Sequence, residues 1–226
     1  MVDGWDDPRL VSIAALRRRG FTPESLKMFV DLCGVSKSQG SVDYAMLEYC
    51  IREDLKLKAP RYMAVLDPIK LIIDNYPEGQ VEYLDAPNNM ENEALGSRKV
   101  PFGKELYIER EDFMIDPPKK YKRLFLLLYV RQVHFRPLFP VRLYENIVDE
   151  EKGVYDKETG ELNLNPNSLI EMSAYVEPEL LKAKGLDSYQ FVRNGFYCAD
   201  IHDSKEGAPV FNRIVSLKSS FKLPKA

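Results

Sequence analysis

Residues 59–76, APRYMAVLDPIKLIIDNY, decide the fold, because the hydrophobic pattern changes period there. Before Pro60, apolar residues recur about every 3.6 positions, the spacing of amphipathic helices. From Arg61 on, short runs rich in Val, Ile, Leu and Tyr are broken by Pro, Asp and Asn, which is the grammar of short strands. Pro60 cannot continue a helix, so the change is abrupt.

Upstream, 22–34 (TPESLKMFVDLCG) predicts a helix with Thr22 as cap, Pro23 at its first position and Gly34 at its end. Leu26, Phe29, Val30 and Leu32 follow at helical spacing. Residues 41–60 (SVDYAMLEYCIREDLKLKAP) repeat the pattern, with Val42, Ala45, Met46, Tyr49, Cys50 and Leu57 on the expected apolar face. The opening MVDGWDDPRLVSIAALRRRG predicts a helix capped by Asp6 or Asp7, with Pro8 in its first turn and Gly20 as its end. Arg17, Arg18 and Arg19 would then complement the helix dipole. Together, residues from about Pro8 to Ala59 predict a small helical bundle.

Downstream, the runs at 80–85, 97–102, 104–110, 121–131 and 140–148 are β-rich and separated by turn residues. A polar turn at 156–167 (DKETGELNLNPN) and a helical turn at 177–185 (EPELLKAKG) precede two further runs, YQFVRNGFYCAD (189–200) and PVFNRIVSLK (209–218). Many short strands of this kind predict a barrel or sandwich.

Composition sets the outer limits. Of 226 residues, 45% are apolar and 30% charged, ordinary values for a globular chain. The longest apolar run, Leu124 to Val130, is far short of the roughly 20 residues a membrane span needs. No basic-then-apolar leader opens the chain, so a cytoplasmic location without membrane partners is expected. Cys33, Cys50 and Cys198 are widely spaced and predict buried free thiols. The net charge of −3 argues against general polyanion binding, but 117–142 holds seven Lys/Arg and no carboxylate. Tyr, Phe and His interleave that run, and such rings stack on unpaired bases.

No catalytic constellation is legible. There is no P-loop or Gly-x-Gly-x-x-Gly, and GVSKS (34–38) reads as a connector between helices. His134 and His202 fit neither a triad nor a metal pair, so no metal is expected. The pairs Asp6/Asp7 and Glu111/Asp112 suit turns better than acid–base chemistry.

Three long stretches carry a resemblance: GWDDPRL with LRRRGFTPESLKMF, then IREDLKLKAPRYMAVLDPIKLIIDNYP, then GSRKVPFGKELYIEREDF. They resemble the C-terminal part of the glutaminyl-tRNA synthetase family, class I aminoacyl-tRNA synthetases. RLYENI, SYQFVRNGFYCAD and PVFNRIVSLK are similar to the same family in the same order. The resemblance implies an anticodon-binding β-barrel without the ATP and glutamine sites, hence no bound cofactor. It also implies roles for single residues. Arg61, Gln190 and Arg193 resemble the readers of the central anticodon base, Lys122 and Arg123 the group holding the third base, and Lys37 a contact inside the L of the tRNA. Arg and Gln present several fixed donors, which suits unpaired base edges. A plainer reading pairs Arg61 and Arg193 with nearby carboxylates. The pattern departs from the family after YKRL: Arg131 stands where the first reader of the first base is expected, but Val133 occupies the second position.

The expected fold is therefore α+β: a helical subdomain at 1–59, then an anticodon-binding β-barrel at 60–226. A shortened excursion near 119–150 would leave a second, distal barrel largely deleted. The expected function is tRNA anticodon binding for a glutamine–tRNA ligase, with the isolated chain inactive in aminoacylation. Two alternatives are the C-terminal half of a split ligase with a separate catalytic half, and a degenerate fragment without specific binding.

Overall fold

The computed structural model describes residues 2–34, 42–116, 118–120, 124–125, 139–149, 151–218 and 221. Three helices come first: α1 (Ile13–Arg19), α2 (Pro23–Cys33) and α3 (Tyr44–Lys58). Thr22, Pro23 and Gly34 frame α2 as expected, and Gly20 ends α1 at φ 110°. The start of α1 differs from expectation. It lies at Ile13, where Ser12 Oγ accepts the Ala15 amide at 3.1 Å. Asp7 is engaged elsewhere, accepting the Arg9 amide at 3.0 Å and the Arg9 guanidinium at 2.6 Å.

The buried face of α3 also differs. Leu47, Cys50, Ile51 and Leu55 are covered, whereas Val42 and Leu57 are about half exposed. Period alone gives a helix, but the face that packs is chosen by what lies beneath it. Of the three thiols, Cys50 and Cys198 are buried as expected, and Cys33 is exposed.

Thirteen strands follow among the described residues: β1 (Arg61–Tyr62), β2 (Ala64–Leu66), β3 (Pro68–Ile72), β4 (Val81–Pro87), β5 (Ser97–Gly103), β6 (Glu105–Glu109), β7 (Phe113–Met114), β8 (Leu124–Phe125), β9 (Phe139–Tyr144), β10 (Leu169–Val176), β11 (Ser188–Phe191), β12 (Gly195–Ala199) and β13 (Phe211–Ser216). Seven form one sheet in the order β1-β11-β12-β13-β9-β10-β2. Its two edges, β1 and β2, are separated only by Met63, so one chain segment supplies both. The sheet is thus a nearly closed barrel, and the architecture is α+β as expected.

At Asp67 (φ 46°) the chain leaves the barrel. It returns at β9 after forming two-stranded ribbons, β3–β6, β4–β5 and β7–β8, among the described residues. A single-turn 3-10 helix, Arg110–Asp112, links β6 to β7.

Strand β12 (GFYCA) is buried on both faces. Tyr197 and Ala199 point into the barrel with Phe191, Val141, Ala174 and Phe211; the Phe191 and Tyr197 rings stack at 4.2 Å. Phe196 and Cys198 point outward to pack with Leu16, Phe21, Leu47, Ile51, Leu55 and Ile214. One apolar cluster therefore joins helices and barrel.

Arginines reinforce that joint. Arg18 Nε donates to the fully buried Asp200 at 3.0 Å, Arg19 Nε to the Arg213 carbonyl at 3.1 Å, and Arg52 Nε to the Ser216 carbonyl at 2.7 Å. Arg18 and Arg19, in the last turn of α1 as expected, thus also reach across to the barrel. Asp200 is the anion that Arg18 meets: burial alone would raise its pKa, but Asn212, two backbone amides and Arg18 together lower it.

A candidate nucleic-acid interface

Strands β1 and β11 run parallel, with Arg61 the register partner of Gln190 and Tyr62 that of Phe191. The ladder continues at both ends, as the Gln190 amide donates to the Pro60 carbonyl and the Val192 amide to the Tyr62 carbonyl, each at 2.9 Å. Two residues 129 positions apart in the chain are thereby fixed side by side. Arg193 follows three residues after Gln190, in the turn between β11 and β12. The fold therefore places Arg61 and Gln190 on one rung of a strand pair, with Arg193 just beyond the C-terminal end of β11. Lys37, Lys122, Arg123, Arg131 and Val133 lie outside the described residues.

Both arginines have carboxylate partners. Arg61 Nη2 donates to Glu91 Oε1 at 2.7 Å, and Lys56 reaches the same carboxylate at 3.2 Å. Arg61 and Lys56 hold the Glu91 carboxyl below its ordinary range. Arg61 Nε is buried without a hydrogen-bond partner among the described residues. Such an orphan donor is costly, but being buried it is not itself presented to a base.

Arg193 donates from both terminal nitrogens to Asp112, with Nη2 to Oδ1 at 2.8 Å. Its side chain is 50% exposed and that of Asp112 only 12%. The side chain of Gln190 makes no hydrogen bond among the described residues and is half-buried.

Aromatic rings flank the group. Tyr62 lies edge-on to Tyr189, with ring centres 5.6 Å apart. Arg98 stacks over Tyr62 at 4.2 Å, and is itself held by two 2.6 Å hydrogen bonds to Glu177. That face of Tyr62 is consequently covered by a cation rather than offered to a base.

Basic residues elsewhere are mixed in availability. Lys119 and Lys120 are exposed. Arg142, from the same carboxylate-free run, is tied to Asp203 and Glu171 and does not face solvent as a free charge. Nothing in the sequence pattern marks Glu91, Arg98 or Glu177 as part of this group. Glu111 and Asp112 do form the expected turn, but the pattern does not show which arginine that turn meets. Among the described residues no group of three metal-ligating side chains occurs, and no helix is long and apolar enough to cross a membrane.

Comparison with known proteins finds three family models that match this chain. Residues 59–163 match a family model described as the anticodon-binding domain of class I tRNA synthetases (E and Q), and residues 129–200 match a second model of the same description. Residues 1–57 match the catalytic-domain model of that family. The helices read above as a separate subdomain therefore correspond to part of that catalytic-domain model.

The glutamine–tRNA ligase of Clostridium kluyveri is 41% identical over 273 residues, covering 99% of this chain and 49% of the relative. Those of Clostridium perfringens (41% over 275 residues; 99% and 49%) and Vibrio cholerae (39% over 273 residues; 98% and 48%) are similar. The chain spans about half the length of the curated relatives it matches. An alignment of 273 positions is also longer than 226 residues can fill, so the relatives hold residues with no counterpart here.

Proposed function

Since the chain belongs to the class I tRNA synthetases of the glutamate and glutamine type, matching the C-terminal part of glutamine–tRNA ligases and carrying their anticodon-binding domains, we propose that it binds the anticodon of a glutamine-type tRNA. The observation that carries this reading is the pairing of Arg61 with Gln190 across β1 and β11, with Arg193 at the adjoining turn. In this reading the donors of Arg61, Gln190 and Arg193 act on the edge of one unpaired base. Their carboxylate partners leave donors over, because a guanidinium has five N–H groups and each ion pair uses one or two.

In this reading Lys122 and Arg123 hold the third base and Lys37 contacts the inner side of the tRNA. Recognition of the first base is not part of the proposal, since Val133 replaces one of the expected pair. The wider role is glutaminylation of tRNA in the cytoplasm, with residues 1–57 joining the barrel to catalytic-domain material. A second reading, in which the chain works with a separately made catalytic half, is favoured by the half-length match to its relatives. It predicts that a partner carrying the nucleotide fold co-purifies with this chain and restores glutamine-dependent charging.

The test of binding compares two anticodon stem-loops that differ only at the central base. Arg193→Ala should cost about 1–3 kcal/mol on the matched loop, as for one good base contact, and should erase discrimination between the two. Equal loss on both would make Arg193 a phosphate contact and remove it from base reading.

A further inference from the structure

Arg193 sits in an unusual backbone position. The Asn194 amide bonds the Phe191 carbonyl at 3.0 Å, closing a four-residue turn in which Arg193 has φ 72°. That left-handed position favours glycine, and a long side chain there is uncommon. Residues held in such conformations are over-determined by their surroundings and cluster at binding sites.

The surroundings here are the acidic segment 109–112. Glu109 Oε1 accepts from Asn194 Nδ2 at 3.0 Å and also from the Leu66 amide at 3.1 Å, tying the turn to the barrel wall. Three residues on, Asp112 takes both terminal nitrogens of Arg193. The same short segment thus holds the turn's backbone neighbourhood and the guanidinium that projects from it. A largely buried carboxylate lies under a half-exposed cation.

The fork geometry determines what is left. Asp112 engages Arg193 end-on, through Nη1 and Nη2. Arg193 Nε makes no hydrogen bond among the described residues. Glu111 Oε1 stands 4.0 Å from Nη2, an ion pair beyond hydrogen-bond reach, so the guanidinium keeps a second, lateral pair of N–H donors, Nε with its neighbouring Nη, in a plane that Asp112 fixes.

We propose that Asp112 is a positioning residue for base recognition: by occupying the end of the Arg193 guanidinium it aims the lateral edge at the central base and so sets specificity. This rests on the reading of Arg193 as a base reader. The rival role is competition, in which Asp112 merely occupies the guanidinium until RNA displaces it. The two roles differ in sign. Removing a positioner lowers discrimination, whereas removing a competitor tightens binding and keeps discrimination.

The experiment measures Kd by fluorescence anisotropy, at one fixed salt concentration, for two stem-loops differing only at the central base. The proteins are wild type, Asp112→Asn, Arg193→Lys and Arg193→Ala. Asp112→Asn should reduce the discrimination ratio by about 5–10-fold, part of what one bidentate contact supplies. Binding of the mismatched loop should be unchanged or tighter, because a negative charge has been removed.

Arg193→Lys can still pair with Asp112 but has no second edge, so its ratio should fall to that of Arg193→Ala. This arm keeps the test open if Asp112→Asn does not fold. Side-chain nitrogen NMR of Arg193 supplies an independent readout: separate, slowly rotating Nη signals in wild type should collapse in Asp112→Asn. Wild type without discrimination would overturn the base-reading proposal itself. Discrimination that Arg193→Ala abolishes but Asp112→Asn preserves, or matched binding that tightens at constant ratio, would overturn only the positioning role. Retained discrimination in Arg193→Lys would do the same.

Discussion

Asp7 gathers more hydrogen bonds than any local pattern suggests. It accepts the Asp3 amide at 3.1 Å, the Arg9 amide at 3.0 Å and two nitrogens of the Arg9 guanidinium, with its side chain 4% exposed. Burial would raise its pKa, but the Arg9 side chain and these amides outweigh that and hold it at about 2, against an ordinary 3.8. A carboxyl depressed on folding stabilises the protein fully above its unfolded pKa. The gain is lost as pH falls through the folded value. The contribution, about 2 kcal/mol, should be intact above about pH 4 and fade between about 4 and 2. Urea unfolding of Asp7→Asn should show that deficit at about pH 6 and little of it near pH 2; an equal deficit at both would mean that its origin is not electrostatic. Asp7 is legible in the sequence as a turn former, but the local pattern points to the wrong turn, because an Asp before Pro can cap a helix or close on Arg9 with equal logic. Arg61, Gln190 and Arg193 are legible only through family resemblance. That both arginines meet carboxylates is what the plainer reading expects, but which ones is not legible, since Glu91 and Asp112 reach them through the folded chain.

Among the elements, α3 separates what periodicity reveals from what it does not. Its helical character and its stop at Pro60 are evident, as are the cap and end of α2. The packed face is not, because alternative apolar stripes share the same period. Strand β12 shows the converse. A run with no alternation, GFYCA, is buried on both faces because helices cover one side and the barrel interior the other. Substitution can measure the difference on α3. Ile51 is fully buried, so Ile51→Ala should cost about 2–5 kcal/mol. Leu57 is 50% exposed, and Leu57→Ala should cost about 0.5 kcal/mol or less. Denaturant midpoints at constant slope check both, and comparable costs would mean that α3 is rotated from the face described.

For the whole molecule, charge and binding pull in opposite directions. The net charge of −3 repels a polyanion, so any tRNA affinity must come from local cationic groups. Lys119 and Lys120 are exposed, whereas Arg142 and Arg18 are engaged by Asp200 and Asp203. Replacing Lys119 and Lys120 with Ala should flatten the dependence of log affinity on log salt by about 0.7 for each single-strand phosphate no longer neutralised. An unchanged slope would mark these lysines as a solvated edge. The barrel is legible through the family resemblance, but which strands close it is not. Local sequence cannot show that Arg61 pairs with Gln190, a juxtaposition that requires ordering all the chain between them.

That closure has a consequence for the chain during its synthesis. Residues 61–66 supply both edges of the barrel, yet their partners lie at 190–191 on one side and 174–176 on the other. At roughly 5–20 residues per second, a ribosome needs on the order of ten seconds to deliver Gln190 after Arg61. Asn88 can take the Arg61 amide earlier, and β10 reaches β2 shortly before, but the ladder from β1 to β11 stays open through that interval, a template that a neighbouring nascent strand could adopt. The vulnerable moment in the life of this protein is therefore set by translation speed, and it ends when β11 emerges.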